Sequence, residues 1–466
     1  MEAKERGTFR GSIGFVLAAA GSAVGLGNIW RFPYLAARDG GGLFLVIYLV
    51  LAVTFGFSLL LTEVAIGRKT KQSPLTAYGM LHKSWGWIGV LACVVPFMIL
   101  PYYCVIGGWV MKYFVAFLTG SGAAAAEDGF FGGFITANVE PIVYLVIFIL
   151  ICAVVVFRGV NKGIEMFSRV LMPILFIMVL GIAVFSLTIK HEGPDGKMVT
   201  GLQGLKVYLV PNFKGIGLKQ FFTVVMDALG QLFYSLSVAM GIMVAYGSYL
   251  HDDEDLGRSV NQTEIFDTLV AFLAGVMIIP AVFVFSGTEG MSAGPSLMFI
   301  SLPKIFAAMG PVGNIVGIVF FAMVLFAAAT SGISLLEAVV SSFMDRFRLS
   351  RSKATLIETA LALLIGVIVC LGYNVFYFEY ELPNGSVGQI LDILDYISNY
   401  ILMPVITIAT CILVGWVIKP KSILDEASKN GETIGRSGLY SVMVKYVSPA
   451  FVLILLLIAL GFPWKK

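Results

Sequence analysis

The residues able to do chemistry in this chain are the few charged, amide and hydroxyl side chains that interrupt long apolar runs. Arg31, Glu63, Asp267 and Asp395 each stand inside a stretch otherwise suited to lipid. A charge near the middle of a bilayer costs about 2.5–3.5 kcal/mol on insertion scales, so each of the four needs a partner or a task. Asp267 follows the polar stretch 251–264 and offers an anionic oxygen to a hard cation that has lost its water shell; an acid favouring the positive end of its helix is the alternative. Ala327, Thr330 and Ser331 fall within one helical turn, where hydroxyls and freed carbonyls can complete an oxygen cage or bond back onto their own helix. Glu63, in Thr62-Glu63-Val64, reads as a residue that holds unwound backbone. Arg31 and Asp395 suit an outer gate that closes on a bound ligand, or else a static pair or a snorkelling arginine. Arg6 and Asp345 suit an inner gate, or an ordinary solvated surface pair. Gly163, followed after nine residues by Pro173, suits a locally unwound helix start that admits water, or a simple kink.

The elements that must position these groups are membrane helices. Of the 466 residues 58% are hydrophobic and 13% charged, about half the charge of a soluble domain. Runs of about 20 apolar residues each cross the hydrocarbon as a helix, and an outer-membrane barrel is excluded by their length. Eleven spans are expected, near 12–37, 41–69, 86–118, 138–157, 164–188, 222–248, 262–287, 308–343, 354–373, 390–417 and 441–463. The first leads directly into further spans, so no removable signal peptide is expected. Most of the 31 Lys and Arg residues, including Lys4, Arg10, Arg68, Lys71, Arg158, Arg346 and Lys419, then fall on the side of the N-terminus. The positive-inside bias therefore predicts a cytoplasmic N-terminus and an external C-terminus in the inner membrane.

Two spans are interrupted. The first carries Gly21, Gly25, Gly27, Asn28 and then Pro33; the sixth reads GQLFYSLSVAMG over residues 230–241. They lie five helices apart, which predicts two five-helix halves with the eleventh helix outside the repeat. Interrupted spans at matching positions of two halves point to a binding site at the membrane midplane, whereas small residues alone would also serve close helix packing. The expected division is 1–188 for the N-terminal segment and first half, 189–221 for an external loop, 222–417 for the second half, and 418–466 for a cytoplasmic loop and the last helix.

Other classes find little support. Cys93, Cys104, Cys152, Cys370 and Cys411 all lie in or beside apolar runs, fit no disulfide framework and have no metal spacing. His82, His191 and His251 form no metal or catalytic set, so no enzyme is expected. No ring of charges or carbonyls suggests a channel. Topology already explains the basic residues, so no nucleic acid is expected.

Residues 21–34, GSAVGLGNIWRFPY, strongly resemble the first-helix motif of the neurotransmitter:sodium symporter family, in particular its bacterial amino acid transporters. Gly40-Gly41-Gly42, Glu63 with Gly67-Arg68, Tyr102-Tyr103, residues 231–241 and residues 327–331 extend the resemblance through essentially the whole chain. It implies an all-α fold of two inverted five-helix repeats in which helices 1, 2, 6 and 7 move against a scaffold. It also implies sodium-coupled uptake of an amino acid by alternating access. A non-transporting sensor on the same fold remains the alternative.

By the same resemblance, a first sodium is held by the Ala23 backbone, the side chains of Asn28, Ser235 and Asp267, and the substrate carboxylate. A second is held by the backbone of Gly21, Val24 and Ala327 and the hydroxyls of Thr330 and Ser331. The amides of Leu26 and Gly27 and the Tyr103 hydroxyl receive the carboxylate. Ile99, Tyr103, Tyr234, Ser237, Met240, Ser331 and Leu335 surround the side chain. None of these carries a fixed charge, so the expected substrate is a neutral hydrophobic or aromatic L-amino acid. Arg31 and Asp395 become the outer gate under a lid of Tyr103 and Tyr234, Arg6 and Asp345 the inner gate, and Gly163 with Pro173 the helix-five unwinding motif.

Three departures matter. Asp267 stands where many relatives have Asn, which predicts chloride independence. Ala239 stands where many have Gly in the unwound part of helix six. The chain also stops after an eleventh helix where animal members have twelve. A monomer is sufficient, because both ion sites and both gates lie in one chain.

Overall fold

Lipid offers the backbone no hydrogen bonds, so apolar segments long enough to cross it satisfy their amides and carbonyls internally as helices. The computed structural model describes residues 7–192, 196–213, 216–287, 290–291 and 294–462. Among them, nine unbroken helices are long and apolar enough to span a membrane. They are the second span, Gly42–Thr70; the third, Lys83–Leu118; the fourth, Glu140–Phe157; and the fifth, Val160–Thr188. The seventh is Leu256–Ser286, the eighth Pro311–Phe347, the ninth Arg351–Leu371, the tenth Ile390–Val417 and the eleventh Ser437–Ala459.

The remaining two expected spans are split. The first is Ser12–Ala23 followed by Leu26–Arg38, bent by 56°. The sixth is Leu218–Ser235, then a non-helical stretch over 236–241, then Ile242–Gly247. The sixth span begins at Leu218, four residues before the expected 222, and its expected interruption at 230–241 falls at 236–241. The cause is local: Ser237, Ala239 and Gly241 all take left-handed backbone, with φ of 53°, 61° and 69°. A non-glycine residue there costs about 1–2 kcal/mol, so other contacts must hold Ser237 and Ala239 in place.

The loops hold more structure than apolar periodicity reveals. The long loop after the fifth span contains an antiparallel hairpin, Lys190–Glu192 with Met198–Thr200, and the helix Gly201–Leu209. That helix starts where the Thr200 amide donates to Gln203 Oε1 at 3.0 Å. Short helices also occupy Pro74–Leu81, Leu302–Ala308 and Lys421–Ala427. The third and eighth spans pack against each other through the middle of the molecule, and the fourth and ninth cover them.

At the ends of the second and sixth spans the chain is clamped by charge. Arg68 is fully buried; its Nε donates to Glu426 Oε1 at 2.8 Å, and the guanidinium also donates to the carbonyls of Glu254, at 2.7 Å, and Glu426. Nearby, Lys429 and Lys71 both reach the half-exposed Asp252 at 2.8 Å, and they hold its carboxyl below the ordinary range, at about 2.

Breaking a buried pair from one side leaves an uncompensated charge and costs about 3–5 kcal/mol. Glu426→Ala is expected to lose stability of that order in a denaturation series, and an unchanged midpoint would contradict a structural role for the pair. Asp252 behaves differently with pH. Its folded value is depressed, so its contribution is present above about pH 4 and is lost as pH falls through about 2. Asp252→Asn is expected to flatten the acid limb of the stability profile and leave the neutral limb nearly unchanged.

Candidate functional site

The two broken spans face each other and are bonded together. Ser237 Oγ donates to the Ser22 carbonyl at 3.0 Å, and the Ser22 and Ser237 hydroxyls meet at 3.1 Å. Gln231 Nε2 donates to the Gly27 carbonyl at 3.2 Å. Ala239 N–H, in the left-handed stretch, donates to Glu63 Oε1 at 2.6 Å. Glu63 comes from the second span, so a neighbouring helix fixes the break in the sixth.

Beside this junction lies a compact oxygen cluster. Asn28, Ser235 and Asp267 are buried, contributed by the first, sixth and seventh spans. Asn28 Nδ2 donates to Asp267 Oδ1 at 2.8 Å. Ser235 Oγ stands 2.9 and 3.1 Å from the two Asp267 oxygens and 3.1 Å from Asn28 Oδ1. Among the described residues no cationic side chain forms an ion pair with Asp267. Three oxygen-bearing side chains and one negative charge with no cationic side chain paired to it make a set suited to a small cation.

A second oxygen-rich place lies where the eighth span crosses the first. Ser331 Oγ donates to the carbonyls of Gly21 and Ser22 at 3.3 and 3.1 Å. Thr330 Oγ1 lies 3.1 Å from the Ala327 carbonyl. Val24, whose amide donates to the Ala20 carbonyl at 2.7 Å, closes the lower half of the first span beside it. Every expected ligand of this group is buried.

Between the two places is a small cavity. Ala23, Leu26, Gly27, Asn28 and Ser235 line its polar side; Ile99, Tyr103, Tyr234, Ser237, Met240, Ser331 and Leu335 line the rest. The upper half of the first span begins here at Leu26, so its first amides have no partner in a preceding turn. Such amides attract an anion. The Tyr103 hydroxyl is buried and, among the described residues, has no hydrogen-bond partner. A side-chain carbon at Gly25 would lie 3.4 Å from it and 3.2 Å from Ser331 Oγ, so both hydroxyls converge on the bare backbone of Gly25.

Ser22, Gly25 and Ile242 also line the cavity and are absent from the expected set. Ser22 and Gly25 are inside the 21–34 motif, so their place in the break is the signal that finds them. Nothing in the sequence distinguishes Ile242 from an ordinary core residue.

The expected gates are less direct. Arg31 and Asp395 are within electrostatic range but form no ion pair in this structure. Asp395 Oδ1 instead accepts from Asn399 Nδ2 at 2.5 Å and from Tyr102 Oη at 3.1 Å. One helical turn brings Asn399 to Asp395, a local contact that competes with the distant arginine. Arg6 lies outside the described residues; Asp345 Oδ2 accepts the Ser73 amide at 2.7 Å. The start of the fifth span is a widened π-helical segment, Val160–Glu165, with Pro173 inside the helix that follows. A side-chain carbon at Gly163 would fall 2.0 Å from the Val155 carbonyl, so only glycine fits that crossing.

Comparison with known proteins gives a consistent answer. The sequence profile of the Sodium:neurotransmitter symporter family matches residues 6–125 and 135–462. An uncharacterized sodium-dependent transporter of Bacillus subtilis, YhdH, is 34% identical over 459 residues, covering 96% of each chain. A second uncharacterized sodium-dependent transporter, from Haemophilus influenzae, is 31% identical over 473 residues, covering 98% of each. Among solved structures, that of MhsT in complex with L-phenylalanine aligns with a TM-score of 0.84 and 32% identity, over 98% of this chain and 100% of that one.

Glu63 supplies the clearest local test. Glu63→Ala leaves the buried Ala239 N–H without an acceptor and is expected to cost about 1–3 kcal/mol of stability. Glu63→Gln retains a carbonyl oxygen and should cost much less. Equal losses in the two variants, measured by thermal denaturation, would show that the acceptor is not what holds the break.

Proposed function

The chain belongs to the sodium:neurotransmitter symporter family, with that family's all-α inverted-repeat fold, and on that premise we propose how its site couples sodium to a neutral hydrophobic or aromatic L-amino acid. Family membership makes it a multi-pass membrane transporter that uses sodium, and not an enzyme. The observation that carries the detailed reading is the convergence of the Asn28, Ser235 and Asp267 oxygens with the exposed amide end of Leu26–Arg38 and the unpartnered Tyr103 hydroxyl.

One sodium occupies the cluster of Asn28, Ser235 and Asp267 with the Ala23 carbonyl, and the substrate carboxylate completes its shell. The same carboxylate takes the Leu26 and Gly27 amides and the Tyr103 hydroxyl. A second sodium sits among the carbonyls of Gly21, Val24 and Ala327 and the hydroxyls of Thr330 and Ser331. The uncharged wall of Ile99, Tyr234, Met240 and Leu335 excludes acidic and basic side chains, which would be buried without a partner. The likeness to MhsT, whose solved complex holds L-phenylalanine, supports an aromatic or large apolar cargo.

Direct contact between the first sodium and the carboxylate makes each tighten the other's binding, as linkage requires. Each net positive charge carried inward gains about 2.3 kcal/mol per 100 mV of membrane potential. With the N-terminus cytoplasmic, Arg31 and Asp395 close the outer side beneath Tyr103 and Tyr234. Closing requires Asp395 to turn from Asn399 and Tyr102 toward the arginine. Release of the second sodium frees the start of the fifth span near Gly163 and lets Arg6 and Asp345 part. The halves fall at 1–188 and 222–417, joined by 189–221, with 418–466 outside the repeat; one chain suffices for transport.

Asp267 already supplies the negative charge that chloride would bring, so chloride is not required. In sealed proteoliposomes, a sodium gradient is expected to drive accumulation of labelled phenylalanine or a leucine-like amino acid equally in chloride and gluconate. Asp267→Asn should abolish uptake in gluconate, or restore it only with chloride. Sodium-independent flux would contradict the coupling, and binding without flux would make the protein a sensor.

A further inference from the structure

The ninth span carries a polar group that the transport site does not use. Glu358 is completely buried, and among the described residues neither of its carboxyl oxygens has a hydrogen-bond partner. Thr355, three residues before it on the same helical face, and Thr359, the next residue along and one turn on from Thr355, are 3% and 8% exposed, and among the described residues their hydroxyls also lack partners. Four buried oxygens without partners within about one turn of helix are exceptional, because each isolated polar atom costs about 1–3 kcal/mol.

Among the described residues no cationic side chain forms an ion pair with Glu358. From the third span, Cys93 and Cys104 are the titratable groups within electrostatic range of Glu358. On the eighth span, Glu337 is taken up by Arg351, whose Nη1 donates to Glu337 Oε2 at 2.6 Å and whose Nη2 donates to Oε1 at 3.0 Å. From the fourth span, Cys152 is in electrostatic range of Cys104. A carboxyl group in this position lacks one positive charge and a set of hydrogen bonds.

We propose that Glu358, with Thr355 and Thr359, forms a binding site for one small monovalent cation, either a proton or an alkali ion, apart from the two places at the broken spans. The carboxyl group supplies the charge, and the two hydroxyls supply neutral oxygens. Glu358 stands seven residues into its helix, about 10 Å from the end that carries Arg351. A cation held there exchanges with the aqueous phase at that end. The site does not depend on the cargo assigned above.

Infrared difference spectroscopy on the full chain in lipid, wild type against Glu358→Gln, tests this across the neutral pH range with sodium or choline present. A protonated-acid carbonyl band that disappears in Glu358→Gln assigns the proton. A carboxylate band that shifts when sodium replaces choline, and is lost in the same variant, assigns the alkali ion. A Glu358 carboxylate band insensitive to both pH and sodium overturns the proposal. Should Glu358→Gln fail to fold, Thr359→Val retains the acid: a shifted Glu358 band supports the site, and an unshifted one overturns it.

Discussion

A helix that stops in the middle of a membrane leaves amides and carbonyls that lipid cannot satisfy, and the rest of this structure is arranged around that constraint. Two spans stop there. They answer part of the demand together, Ser237 taking the Ser22 carbonyl and Gln231 the Gly27 carbonyl, while Glu63 of the second span takes the Ala239 amide. Left-handed Ser237 and Ala239 are tolerable only because these bonds hold them. Among the groups left without a partner in the described residues, the first amides of Leu26–Arg38 and the Tyr103 hydroxyl lie at the cavity. The geometry that is costly without a ligand is therefore the one proposed to receive it.

Charges inside the molecule divide along the same line. Arg68 with Glu426 and Arg351 with Glu337 are paired and hold elements in position. Asp267 has neutral hydrogen-bonding neighbours in place of a cationic partner, which is the arrangement expected of a group that receives a cation during function. Asn28 and Ser235 keep their side chains turned to Asp267, so the oxygens are gathered beforehand and little reorganisation is needed when an ion enters.

Much of this was legible in the residues themselves. Apolar run length locates the helices, and the glycines and Asn28 mark the first break. The residues singled out around the breaks line one cavity, because the two broken spans are hydrogen-bonded to each other. The sixth break was harder to read: Ser237 and Ala239 give no hint of left-handed backbone, and only the contact from Glu63 explains it. Asp395 looked like a partner for Arg31, but local bonds to Asn399 and Tyr102 prevail. The charged clamp around Arg68 joins residues far apart in sequence, and the short loop helices are too brief to show a period. Both depend on tertiary contacts that no local pattern encodes.

The central claim is that sodium and the amino acid bind in direct contact at Asn28, Ser235 and Asp267. Its most direct test is equilibrium binding on the purified chain, titrating a labelled apolar amino acid at several sodium concentrations and sodium at several amino acid concentrations. The account predicts that each ligand raises the other's affinity by the same factor, and that Ser235→Ala reduces this factor in both titrations. Amino acid affinity independent of sodium, or coupling unaffected by the Ser235 substitution, would contradict it.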